Sequence, residues 1–99
     1  MKQGWVYIMT NKHNTTLYVG VTSNLYNRVQ QHQHKHYPDS FSAKYNTDRL
    51  VYYEMLYSIT SAISREKEIK KWRREKKDAL IDSLNPKRED LWEKEVRHW

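Results

Sequence analysis

Ninety-nine residues without a single cysteine exclude a disulfide framework and a thiolate zinc site, and leave room for one domain with a modest core. Eighteen Lys and Arg against twelve Asp and Glu give a formal charge of +6, a balance that draws polyanions such as nucleic acids. No apolar run approaches the roughly 18 residues of a membrane span, and Met1 to Thr10 lacks the layout of a secretory signal, so a soluble cytoplasmic protein with no membrane partner is expected.

Trp5–Thr10 and Thr16–Thr22 are rich in β-branched and aromatic residues, and the intervening Asn11–Thr15 has turn composition, which predicts a β-hairpin. Alternation assigns Val6 and Ile8, with Leu17, Val19 and Val21, to the core face. The other face then carries Trp5, Tyr7 and Met9 beside Tyr18, Gly20 and Thr22, so both tyrosine hydroxyls emerge together. Gly20 is one of two glycines in the chain, and a glycine inside a strand marks either a bulge or close approach by a ligand or another backbone.

Thr22 or Ser23 is suited to cap a helix from about Asn24 to His36, with Leu25 and Val29 inward. Arg28 and His32 border that apolar stripe one turn apart. Tyr37–Asp48, with Pro38 and Asp39, has loop composition, and loops of that length are often functional. Arg49–Tyr57 is predicted as a third strand, apolar on both faces (Leu50, Tyr52, Leu56; Val51, Tyr53, Met55), as for the middle of a small covered sheet.

Thr60 or Ser61 then caps a second helix whose inward stripe, Ala62, Glu66, Ile69 and Trp72 or Arg73, places a carboxylate where an apolar residue is expected. Arg65 to Lys77 holds eight Lys or Arg against three glutamates, a strongly basic face. A third helix ends near Leu84. Asn85 as cap and Pro86 as first residue open a last helix, about 86–97, with Leu91 and Trp92 packing back on a core of about 4–84.

These residues supply the parts for phosphodiester hydrolysis, which needs an oriented water, a proton acceptor, positive charge for the developing phosphorane and usually a divalent metal. Tyr7 and Tyr18 suit the water, Arg28 the phosphate oxygens, and His32 either the phosphate or a tyrosine hydroxyl. Glu66 is the lone carboxylate suited to Mg²⁺ or Mn²⁺, with water and substrate phosphate completing the shell.

Trp5-Val6-Tyr7, Tyr18-Val19-Gly20, Leu25-x-x-Arg28-x-x-x-His32, the glutamate four residues after Ala62 and the late Asn85-Pro86 together resemble the GIY-YIG nucleases, over nearly the whole chain. They are most similar to small stand-alone members related to the N-terminal nuclease domain of the nucleotide-excision repair endonuclease. The resemblance implies an α+β fold, a small central three-stranded antiparallel sheet flanked by helices. It also implies Mg²⁺-dependent, one-metal DNA cleavage, with repair or recombination as the setting and branched, nicked or damaged DNA as the partner.

On the same resemblance Tyr7 is the general base or its relay and Tyr18 its partner at the scissile phosphate. Arg28 stabilises the transition state, His32 fills a position held by His or Tyr, Glu66 binds the metal, and Asn85 approaches the substrate phosphate. Lys44, Lys70, Arg73 and Arg74 are expected on the DNA backbone, and no obligate protein partner is implied. Two positions depart from the pattern: Gly4 stands one position before the family glycine, and Val21 replaces a lysine of the repair members, leaving Lys44 or a helix lysine to supply that charge. The departures keep open a binding module without turnover. A third reading, a docking surface of tryptophans including Trp92 and Trp99, rests on aromatic content alone.

Overall fold

The computed structural model describes residues 3–34 and 44–99. Its strands are β1 (Gly4–Thr10), β2 (Leu17–Thr22) and β3 (Arg49–Leu56), and its helices α1 (Leu25–Gln33), α2 (Ile59–Lys70), α3 (Arg74–Leu84) and α4 (Leu91–Lys94), with a 3₁₀ turn at Val96–His98. The strands form one antiparallel sheet in the order β2-β1-β3. This is the expected α+β architecture, with one exchange of places. β1 takes the centre and β3 an edge, because β1 hydrogen-bonds on both sides and is buried along almost its whole length.

The hairpin forms as its alternation dictates, with Trp5 opposite Thr22 and Thr10 opposite Leu17. Asn11 builds the turn: its side-chain oxygen accepts from the backbone N–H of Thr15 at 2.8 Å and of Thr16 at 3.2 Å, while Asn14 takes the left-handed conformation at φ 57°. The two predicted faces of β3 are corrected by a bulge. Ile8 pairs with Tyr52 and Met9 with Leu50, so Val51 is the extra residue, and Val51 and Tyr52 both join the core of the Val6 face.

Each face of the sheet has its own core. Val6, Ile8, Val19, Val51 and Tyr52 pack with Ala62 and Ile69 of α2 and Ile81 of α3. Tyr7, Met9 and Leu50 pack with Leu25 and Val29 of α1 and with Leu91, Trp92 and Val96 from the C-terminal segment. Gly4 has a packing task of its own: an added Cβ would lie 2.5 Å from Ala62 Cβ and 3.0 Å from Ile59 Cα, so only glycine admits the start of α2 at that distance.

The caps differ from those predicted. Asn24 caps α1, accepting from Asn27 N–H at 3.1 Å, while the Thr22 hydroxyl accepts from Asn24 N–H at 3.1 Å and steadies the cap itself. The helix is described to Gln33, with His34 at its C-cap, and its expected extension to His36 falls outside the described residues, as does most of the loop expected over Tyr37–Asp48. Ser58 caps α2, accepting from Ser61 N–H at 3.1 Å.

No helix opens at Pro86: Asn85 closes α3, a turn follows with Arg88 at φ 53°, and Asp90 caps the short α4. The two tryptophans named for a docking surface part company, since Trp99 stays more than half exposed. Trp92 is buried against Tyr26, ring centroids 5.0 Å apart, and Trp99 lies against Trp5 and Tyr53 at 5.2 and 5.6 Å. Among the described residues no helix is long and apolar enough to cross a membrane.

Candidate active site

Tyr7 stands on the central strand directly opposite Gly20, and its ring lies over that glycine: a Cβ there would sit 2.4 Å from both the ring Cζ and the hydroxyl oxygen. The missing side chain therefore lets a phenol from the middle of the sheet cross the edge strand β2. On the far side it meets α1, where Leu25 and Val29 are buried and so turn Arg28 and His32 toward the hydroxyl.

Arg28 Nε donates to the Tyr7 oxygen at 3.3 Å, and His32 Nε2 lies 2.9 Å from the same oxygen. The Tyr7 oxygen thus lies between a donating guanidinium and an imidazole nitrogen, and His32 with its ring proton on Nδ1 is the tautomer that would accept the phenol O–H at Nε2. The electrostatics agree. Burial, helped by the Arg28 charge, pushes His32 down to about 4, so the imidazole is neutral at neutral pH. Burial also pushes the Tyr7 phenol well above its ordinary 10.0, and the bond from Arg28 only partly opposes this. The bond to Tyr7 in turn raises Arg28 above an already high value.

Tyr18 completes the aromatic cluster, its ring centroid 6.2 Å from Tyr7 and 5.0 Å from His32. Tyr7 has no exposed surface, whereas Tyr18 is half-buried and is the phenol that solvent reaches. Beside the cluster, Arg28 NH1 donates to Gln31 Oε1 at 3.2 Å. A groove of about 460 Å³ opens there, lined by Val21, Thr22, Asn24, Asn27, Arg28 and Gln31. Neither Asn27 nor Gln31 was expected at the site from the sequence, although Gln31, three residues after Arg28, is the one-turn neighbour from which a polar partner would be sought.

Glu66 occupies the predicted stripe of α2, buried to 9% exposure between Ala62 and Ile69, and pairs with Lys70 at 3.0 Å. Its helix covers the Val6 face, and its carboxylate meets Lys70 and not the hydrogen-bonded cluster of Tyr7, Arg28 and His32. Among the described residues no group of three Asp, Glu, His or Cys side chains is placed to hold a metal. This donor set fits an Mg²⁺ or Mn²⁺ held chiefly by water and phosphate with Glu66 as its single protein ligand, once Lys70 swings away. It does not fit a closed protein cage.

The other expected contacts divide. Arg73 and Lys70 are exposed, and Lys44, also exposed, has its ammonium 5.6 Å from the Tyr45 ring. Arg74 is committed elsewhere: its guanidinium donates to the carbonyls of Asn14 at 2.6 Å and Thr15 at 2.9 Å and to the Asp78 carboxylate at 3.2 Å, clamping the hairpin turn to α3. Asn85 is buried, its amide donating to the carbonyls of Val51 and Glu89 and accepting from Glu89 N–H at 3.0 Å. Its contacts explain its presence by the loop alone.

A narrow antiparallel sheet, tyrosines on two adjacent strands and an arginine helix across the edge define a nuclease domain of the GIY-YIG type. The profile of the GIY-YIG catalytic domain matches residues 3–78, and the chain belongs to that family. It is 35% identical over 88 residues to a UPF0213 protein of Syntrophus aciditrophicus, covering 89% of this chain and 99% of that one. A UPF0213 protein of Clostridium perfringens is 38% identical over 96 residues, covering 93% and 96%. The solution NMR structure of the UPF0213 protein BH0048 from Bacillus halodurans superposes with a TM-score of 0.56 at 25% identity, covering 90% of this chain and 93% of that one.

Proposed function

We propose that the protein is a divalent-metal-dependent DNA endonuclease that hydrolyses phosphodiester bonds in branched, nicked or damaged DNA, in repair or recombination. The observation that carries the reading is the chain Arg28–Tyr7–His32, with the Tyr18 ring against it and Arg28 lining an open groove. Arg28, held by Tyr7 and by Gln31, is a preoriented positive charge for the phosphate oxygens, and such preorganisation is worth about 10²–10³ in rate.

Tyr18, the accessible phenol, orients the attacking water. Tyr7 is fully buried and acts from behind as the positioning group of Arg28 and as a relay, its proton held toward the neutral His32. The low basicity of His32 and the raised phenol both oppose formation of a phenolate in the resting protein, so neither acts unaided as a strong base. Glu66 would hold the Mg²⁺ or Mn²⁺, which when bound supplies Lewis acidity toward the phosphate and toward water.

The test is cleavage of labelled single-stranded, duplex, flap and nicked DNA with Mg²⁺, Mn²⁺ or chelator, comparing wild type with Glu66→Ala and Tyr7→Phe. Metal-dependent products, reduced about 100-fold or more in both variants, are expected. A folded protein that leaves every DNA form intact with either metal would overturn the reading. Retarded but uncut DNA, unaffected by Glu66→Ala, would replace it with a binding module.

A further inference from the structure

Among the described residues the groove beside Arg28 is lined by that one cation, Val21 and four neutral polar side chains. A channel that merely tracks a phosphate backbone is lined by positive charge, whereas carboxamides match the mixed donor and acceptor pattern of base edges. Several of the lining atoms are already spent. The Thr22 hydroxyl bonds the backbone of Asn24, Asn24 Oδ1 caps Asn27 N–H, and Gln31 Oε1 accepts from Arg28.

What remains among the described residues is the NH₂ of Asn24, the NH₂ of Gln31, whose oxygen is taken by Arg28, and the complete amide of Asn27, which is exposed and has no side-chain partner there. Asn27 and Gln31 stand four apart on α1 and so share a face on either side of Arg28. At about 460 Å³ the groove falls within the range of small-ligand sites, room enough for a single base.

We infer that this groove is a nucleobase subsite: it takes one unpaired base next to the phosphate bound at Arg28, held by Asn27 and Gln31. The inference rests on the nuclease reading of Arg28. Free NH₂ groups outnumber free carbonyls here, which favours a base edge rich in acceptors, guanine before adenine.

The experiment titrates ¹⁵N-labelled protein with deoxyguanosine 5′-monophosphate, deoxyadenosine 5′-monophosphate, deoxyribose 5-phosphate and inorganic phosphate, without metal, following the side-chain NH₂ signals of Asn27 and Gln31. The guanine nucleotide is expected to bind about fivefold or more tighter than the sugar phosphate, to lead the adenine nucleotide and to shift both NH₂ signals. Asn27→Ala, at an exposed position, should reduce nucleotide binding to the sugar-phosphate level. Equal affinity for nucleotide and sugar phosphate, or unmoved NH₂ signals, would overturn the inference, and adenine ahead of guanine would overturn its donor-rich basis. Cleaved DNA with equal affinities would leave the nuclease standing without the subsite, whereas base-dependent binding without any cleavage would leave the subsite and remove the nuclease.

Discussion

Burial penalises charge on Tyr7 and His32 alike, so the phenol keeps its proton and the imidazole declines one. Their effects on stability then run in opposite directions with pH. Between 6.5 and about 4 the unfolded chain protonates His32 while the folded chain does not, so this contribution is complete above pH 6.5 and is lost as pH falls through that window. The Tyr7 contribution is complete below pH 10.0 and is lost as pH rises beyond it, because the folded phenol titrates higher than the unfolded one. An NMR titration of the His32 imidazole should give a midpoint near 4 that moves upward in Arg28→Ala, since the Arg28 charge is its second cause. A midpoint at the ordinary 6.5 in folded wild type would refute the burial argument. At this scale the chemical identity of the cluster was legible, because Tyr7, Arg28 and His32 lie where alternation and helical spacing put them. Their bonding order was not, because it depends on the desolvation of Tyr7, which only the packing of α1 over the sheet creates.

Helix α1, which carries Arg28 and His32, has nine residues, too few to persist by itself, and it is fixed through Leu25 and Val29. Half of the core that receives them comes from Leu91, Trp92 and Val96, beyond the 3–78 span of the family match. Tyr53 adds a hydrogen bond to Glu95, and burial, reinforced by that bond, drives the phenol up to about 12. Trp92→Ala should therefore cost about 3–5 kcal/mol in urea unfolding, with broadened signals for Arg28 and His32 in the fraction still folded. A loss under 1 kcal/mol would show that α1 holds its place without the C-terminal segment. Element boundaries were the least legible part of the sequence. Thr22, Ser23 and Asn24 are all good caps in succession, and only the geometry at Asn27 selects the last. The bulge at Val51 leaves no trace in an apolar run, yet it decides which face each residue of β3 serves.

The eighteen Lys and Arg overstate the cations free to meet a polyanion, because several are internally committed. Arg65 pairs with Glu54 and Glu68, Arg88 with Asp78 and Asp82, and Arg74 clamps the hairpin turn. Arg73 is exposed at the junction of α2 and α3 without such ties among the described residues. Arg73→Ala is expected to weaken DNA binding and to lower the slope of log K against log salt by about 0.9, as for one lost phosphate contact, while Arg74→Ala leaves the slope alone and lowers the melting temperature. Fluorescence anisotropy across a salt series separates the two, and equal slopes for wild type and Arg73→Ala would remove Arg73 from the interface. Residue counting along the basic run could not make this distinction, since Arg73 and Arg74 are adjacent and identical. Nor could it show Glu66 on the opposite face from Tyr7, because a helix stripe records burial and not the layer in which burial occurs. The crossing of Tyr7 over Gly20 carries a rule about width. Strands stand about 4.8 Å apart, and a tyrosine reaches past one neighbour but not past two. A further strand added beyond β2 would part the hydroxyl from Arg28 and His32, so this sheet can grow only on the β3 side, and it is a helix rather than another strand that must answer the β2 rim.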